Sequence, residues 1–326
     1  MSTHTSTPRL SVVVPLFNEE AGIGNFLAQL DETLLAIGHS FEIILVDDGS
    51  SDETWAKLRQ LSGRYENALC IRLSRNFGKE SALSAGLDLA QGEAVIVMDG
   101  DLQHPVALIP EMVAAWIAGR ADVVEAVKFD RGRESFSSKV RARVFYGLLN
   151  LLSGMNLEGM SDYKLLDRRV VHEWRRLREY DRFFRGMVAW LGFRHLAIPF
   201  TVPSRTEGTS GWSLWGLIRL ALGAITSFST LPLHFSTLCG AIFAVLALLL
   251  GVQTVYNKFA GVADAGFTTV ILLLLIIGSA ILLSVGVIGE YVAKIYHEVK
   301  RRPTYVVCDE LGRGAGAEVD KSKVDW

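Results

Sequence analysis

The chain has 326 residues, enough for a sizeable core and more than one structural region, and its 33 basic and 35 acidic residues leave a net charge of −2. That balance offers no basic surface excess and argues against a nucleic-acid partner. Mean hydropathy is +0.28, high for a soluble enzyme, and the excess lies after residue 230.

Residues 1–9, within "MSTHTSTPRL", lack the apolar run of a secretory signal and read as a flexible N-terminus. Four short β-branched runs bounded by turn residues follow, "SVVVP" (11–15), "EIILVDD" (42–48), "LCIRL" (69–73) and "AVIVMD" (94–99), and each predicts a strand. Between the first two, Ile23, Phe26, Leu27, Leu30 and Leu34 recur at helical spacing and define one buried face. Ser50 with Glu53 has the spacing of a capping box before "TWAKLRQL". "KESALSAGLDLAQG" predicts a third helix, opened by Lys79 and closed by Gly92, and "DVVEAVKF" (122–129) a further strand. Alternating strands and helices predict a Rossmann-like α/β domain with a mostly parallel sheet over residues 10–210.

Such sheets bind ligands beyond the carboxyl ends of their strands. Those ends here are acidic: "PLFNEE", "DDGSSD" and "DGDLQHP". The Gly-rich turn of a dinucleotide site is absent after the first strand. Asp99, Asp101 and Gln103 alternate, and side chains two apart on an extended chain project the same way. Two carboxylates so close repel unless a cation lies between them. Hard oxygen ligands of this kind suit Mg2+ or Mn2+ beside a nucleotide diphosphate. The plainer alternative is a polar turn, with Asp47 and Asp48 capping theirs in the same way.

From His234 to Tyr256, and again from Ala265 to Gly289, no residue carries a charge, histidine counted as neutral. The runs predict a two-span membrane hairpin, about 234–256 and 266–289 within residues 231–291. "KIYHEVKRRP" follows the second run, and by the positive-inside rule that basic flank and the N-terminal domain face the cytoplasm. Residues 292–326 read as a cytoplasmic tail, disordered after Asp309. Residues 135–153 and 211–230 combine basic or aromatic with apolar residues and predict interfacial helices. Cys70, Cys239 and Cys308 show no metal-ligand spacing.

"VVVPLFNEE", "VDDGSSDET", "RNFGKESALSAGL" and "MDGDLQHP" together resemble glycosyltransferase family 2. With "FSSKVRARVFYGLLN", "SDYKLLDRR", "ITSFSTLPL" and "GEYVAKIYHEVKRRP", the chain is similar to the polyisoprenyl-phosphate glycosyltransferases almost throughout. The resemblance implies a GT-A domain at the cell inner membrane. It implies inverting transfer of a hexose, UDP-glucose being the first-choice donor, to polyprenyl phosphate. Pro15, Phe17 and Glu19 match a loop lining the nucleotide; Asp48 matches a base-binding carboxylate with Asp47 beside it; Arg205 matches a donor-phosphate arginine. Asp99, Asp101 and Gln103 match the metal motif, and Asp162 a catalytic base or orienter, although a structural pair with Lys164 or Arg168 is the plainer alternative. Lys128, Arg131, Lys139 and Arg143 are the acceptor-phosphate candidates, Lys128 standing where the family usually has Arg. A processive polysaccharide synthase and a non-catalytic nucleotide-sugar-binding partner of a lipid-sugar flippase are the competing functions. The flippase and a second copy of the chain are the macromolecular partners this reading leaves open.

Overall fold

The computed structural model of the chain describes residues 8–101, 103–128, 161–177, 179–180, 182–200, 231–260 and 267–312. The chain divides into two compact units. The first comprises Met1–Tyr146, Met155–Gly211 and Arg302–Trp326, and the second Gly147–Gly154 and Trp212–Arg301.

In the first unit the expected strands form with small boundary shifts: β1 (Leu10–Leu16), β2 (Phe41–Asp47), β3 (Ala68–Leu73), β4 (Ala94–Val97) and β5 (Val123–Lys128). β6 (Lys164–Asp167), β7 (His195–Phe200) and β8 (Val307–Leu311) complete the sheet, whose order is β7-β5-β6-β4-β1-β2-β3-β8. Only β6 and β8 run against the other strands. The chain moves outward from β1 through β2 to β3 and then returns to β1's other side with β4. The crevice of such a sheet opens where the direction reverses, beyond the ends of β1 and β4.

Helix α1 (Ile23–Ile37) buries Ile23, Phe26, Leu27, Leu30 and Leu34, the face the spacing defines, and Gly38 ends it at a φ of 73°. With α2 (Thr54–Ser62) and α4 (Ile109–Ile117) it shares a core containing Val12, Val14, Ile43 and Leu45. Helix α3 (Lys79–Leu89) packs on β1 and β2, and α5 (Arg168–Arg176) packs beside it. The approach of α3 is close: a β-carbon at Gly86 would collide with Val13 and come within 3.3 Å of Val46. Helix α6 (Phe184–Trp190) buries Phe184 against Trp174 of α5.

Four local expectations change. β4 stops at Val97, so Asp99, Asp101 and Gln103 lie in a turn rather than alternating along a strand. No capping box forms, because the Ser50 hydroxyl accepts from the Asn18 amide and α2 starts only at Thr54. α3 ends at Leu89, with Ala90 rather than Gly92 as its cap. Residues Val307–Leu311, expected in the tail, pair antiparallel with β3 as an edge strand. The Ser74 amide bonds the Val306 carbonyl, and the Tyr305 hydroxyl bonds Asp88 at 2.9 Å.

The second unit contains α7 (Leu231–Phe259) and α8 (Phe267–Lys300). Leu233–Phe259 and Leu273–Lys300 are long and apolar enough to cross a membrane, and Leu248, Leu282 and Leu283 stand exposed on them. α8 continues past the expected end of its span at 289 into the basic flank. The interfacial segments 135–153 and 211–230 lie outside the described residues.

Candidate active site

The carboxyl edge of the sheet collects the acidic loops because β1, β2 and β4 are parallel and end together. After β1, Asn18 takes a left-handed φ of 56°, a conformation that Asn tolerates better than most residues. It accepts from the Ser51 amide at 2.9 Å, and the Glu19 amide donates to Thr54 Oγ1 at 2.9 Å. This lacing fixes the loop that carries Phe17 and Glu19, while Pro15 lies within β1 and pairs with Val46; Phe17 is exposed. Burial raises the Glu19 carboxyl above its ordinary value, and Asp101, Asp52 and Asp99 raise it further by repulsion.

Asp47 and Asp48 are buried behind that loop. Asp47 accepts from the Ser50 amide at 3.0 Å and pairs with Arg72 at 3.2 Å. Asp48 accepts from the amides of Phe77 and Gly78, at 2.8 and 2.9 Å, which fixes the start of α3. Burial raises the Asp48 carboxyl against the pull of those two amides.

In the turn after β4, Asp101 Oδ1 accepts from the Gln103 amide at 3.0 Å. The Asp99 amide donates to His104 Nδ1 at 3.0 Å, so that nitrogen acts as an acceptor. The His104 ring stacks on Tyr163, with centroids 5.1 Å apart. Burial lowers the His104 pKa, while Asp99 and Asp101 act the other way. A neutral ring that holds the turn explains a histidine to which the sequence assigned no role.

Because β6 runs against β4, the residues just before β6 sit beside those just after β4. Asp162 thereby reaches the same edge as Asp99, and Lys79 Nζ lies between them, 2.6 Å from Asp99 Oδ1 and 2.8 Å from Asp162 Oδ2. Arg185 grips Asp162 with two bonds, Nε to Oδ1 at 2.6 Å and Nη2 to Oδ2 at 2.8 Å. Burial alone would raise the Asp162 carboxyl, but Arg185 and Lys79 overcome it and hold it well below the usual carboxylate range. Beside them Glu80 accepts from the Phe184 amide at 2.8 Å, and burial pushes its carboxyl up to about 7.

Asp162 does not pair with either cation the sequence offered. Lys164 is fully buried against Glu125 at 2.5 Å, and Arg168 caps the Ala90 carbonyl at 2.8 Å. Glu125 also accepts from the Ser161 amide at 2.7 Å, which holds the approach to Asp162. Lys128 ends β5 opposite Phe200. Arg131, Lys139, Arg143 and Arg205 lie outside the described residues. Arg185 follows two phenylalanines with no motif around it, and no sequence signal marked it. Lys79 had a faint one, a cation opening a helix against the dipole.

Among the described residues, no group of three or more His, Cys, Asp or Glu side chains is arranged to hold a metal ion. Asp99 and Asp101 nevertheless fit a hard divalent cation of the kind held by one or two carboxylates plus substrate phosphates. Both repel Glu19, a charge such an ion would offset beyond what Lys79 offsets at Asp99.

The α/β sheet thus carries acidic loops and two cations at its switch point, and two further helices are long and apolar enough to cross a membrane. The chain belongs to Glycosyl transferase family 2, whose description matches residues 11–175, and it is a glycosyltransferase with a GT-A domain. It is 40% identical over 311 residues to an uncharacterized glycosyltransferase of Synechocystis sp., covering 94% of this chain and 96% of the relative. It is 36% identical over 301 residues to the bactoprenol glucosyl transferase of Shigella phage SfII, covering 92% and 97%. To the prophage bactoprenol glucosyl transferase homolog of Escherichia coli (strain K12) it is 35% identical over 301 residues, covering 92% and 98%.

Proposed function

We propose that the protein transfers a hexosyl group, with inversion, from a nucleotide diphosphate sugar to a polyprenyl monophosphate, with UDP-glucose the leading donor. The names of the bactoprenol glucosyl transferase relatives support the acceptor class. The observation that carries the reading is the meeting of Asp99 and Asp101 with Lys79, Asp162 and Arg185 at one sheet edge.

A phosphate monoester has a second pKa of about 6, so near neutral pH the acceptor is already largely a dianion. It needs little help in losing a proton. It needs its charge offset as it nears the donor diphosphate. Asp162, held ionised between two cations, orients them rather than taking a proton. Phe17 and Glu19 line the nucleotide with Pro15, Asp47 and Asp48 support the base, and Arg205 holds donor phosphate. Lys128, Arg131, Lys139 and Arg143 meet the acceptor headgroup. Asp99, Asp101 and Gln103 would hold Mg2+ or Mn2+, whose Lewis acidity would stabilise the departing nucleoside diphosphate.

The catalytic unit faces the cytoplasm at the inner membrane. Support comes from the basic flank after α8, and from β8: the chain that leaves the second span rejoins the sheet it left before the first. Both ends of the hairpin therefore belong on one side.

A panel of radiolabelled UDP- and GDP-sugars, each incubated with the full-length protein and undecaprenyl phosphate in lipid, tests the proposal. A glycolipid with an acid-labile phosphodiester is the expected product. Polymer growth without such a lipid would favour the synthase reading, and donor binding without turnover the non-catalytic one.

A further inference from the structure

Asp162 is nearly closed to solvent, with its side chain 7% exposed, while the two cations it holds are open, Lys79 at 41% and Arg185 at 37%. A structural ion pair needs no such asymmetry. Here the anion is buried and each of the two cations is more than a third exposed. They come from two different helices: Lys79 is the first residue of α3, and Arg185 is the second of α6. Among the described residues Lys79 makes two ionic contacts, with Asp99 and Asp162, and an ammonium has three protons to donate. Arg185 holds Asp162 through Nε and Nη2.

Lys79 is also placed against the local electrostatics. A cation in the first turn opposes the helix dipole, and local rules broken at such positions are a mark of functional sites. Both cations meet at Asp162, and Lys79 also reaches Asp99.

We propose that Lys79 and Arg185, pre-positioned by the buried Asp162, form a phosphate-binding pair. The ligand chemistry is a phosphate oxyanion, supplied by the monophosphate of the lipid acceptor or by the diphosphate of the sugar donor. This assignment rests on the transfer reaction proposed above. It adds to it a pair of cations inside the catalytic unit, distinct from those of segment 128–143. A guanidinium and an ammonium fixed on one carboxylate lose little freedom on binding, so each contact keeps most of its strength.

The test is equilibrium binding to the full-length protein in lipid nanodiscs, with undecaprenyl phosphate and UDP-glucose measured separately. Lys79→Met and Arg185→Met are each expected to raise the Kd for one of the two ligands about tenfold or more, the size of a lost charge-assisted bond. Lys79→Arg, which retains the charge, should recover most of the affinity, and Arg185→Lys only part of it, because a lysine cannot hold Asp162 through two bonds. Whichever ligand weakens identifies the source of the phosphate. Both Kd values within about twofold of wild type, in both methionine variants, would overturn the assignment. A general loss of fold is recognised by its equal effect on the charge-retaining variants, which likewise overturns it. Failure of the transfer reaction shows separately, as wild type that binds a phosphate ligand without making glycolipid.

Discussion

Val97 of β4 lies opposite Lys164 of β6 in antiparallel register. That one pairing carries Asp162, two residues before Lys164, to the edge where β4 releases Asp99. Lys164 is itself fully buried, 2.5 Å from Glu125 on β5. The strand that delivers Asp162 is therefore seated by an ion pair in the middle of the sheet.

Removing one partner of that pair should be costly. Glu125→Ala leaves a buried ammonium without its counter-charge, and a loss of about 3–5 kcal/mol is expected. Glu125→Gln combined with Lys164→Met should lie closer to wild type than either single variant. Chemical denaturation of the three proteins provides the comparison, and additive losses would show that the two residues act independently.

Gly86 sets the distance between α3 and the sheet. Gly86→Ala places a methyl into Val13, so the helix must shift or the valine must move, at a cost of about 1–3 kcal/mol. Since α3 begins with Lys79, the same shift should also lower activity. A stability equal to wild type would mean that the helix has room this packing does not show.

The edge strand β8 changes what a soluble version of the enzyme requires. A chain cut after Ser229 loses Val307–Leu311 together with the Tyr305–Asp88 bond and bares the β3 edge, an invitation to edge-to-edge association. Deleting residues 231–301 with a flexible linker, so that 302–326 is retained, should give a more monodisperse and more thermostable protein than simple truncation. Light scattering and melting curves of the two should differ in that direction.

Two carboxyls shifted in opposite senses predict the pH response. Asp162 lies below its ordinary value when folded, so its contribution to stability is fully present above about pH 4 and is lost as the pH falls toward the folded value. Glu80 rises from 4.5 to about 7, so the folded state holds its proton more tightly than the unfolded chain does. Stability from this group is present below about pH 4.5 and is lost as pH rises through about 7. Glu80→Gln should therefore flatten the fall in Tm between those values. Asp162→Asn should lower kcat without removing a limb of the pH–rate profile above pH 5. If wild type has such a limb and the variant lacks it, Asp162 is a general base after all.

Metal dependence gives the sharpest activity test. Asp101→Asn should abolish turnover while far-UV circular dichroism stays unchanged, because Asp101 is exposed and, among the described residues, its side-chain bond is to Gln103 in its own turn. EDTA should silence wild type, and Mg2+ or Mn2+ should restore it. Full activity in EDTA would end the metal assignment for Asp99, Asp101 and Gln103.

Much of this was legible in the residues themselves, wherever the determinant is local. β-branched runs closed by turn residues mark β1 to β5, the recurrence of Ile23, Phe26, Leu27, Leu30 and Leu34 marks α1, and two uncharged runs mark α7 and α8. The acidic ends of β1, β2 and β4 reach one edge because parallel strands must end together. Partners distant in sequence were not legible. Nothing near Asp162 signals that β6 runs antiparallel beside β4, so its cations, Lys79 and Arg185, could not be read and Lys164 and Arg168 were the nearer guesses. The same holds for the Ser50 hydroxyl, drawn away from a capping box by Asn18, and for Val307–Leu311, which has little reason to be a strand until β3 offers it an open edge. Periodicity and turn chemistry act over a few residues, whereas strand order and charge pairing are settled by whichever groups the fold brings within about 3 Å of one another.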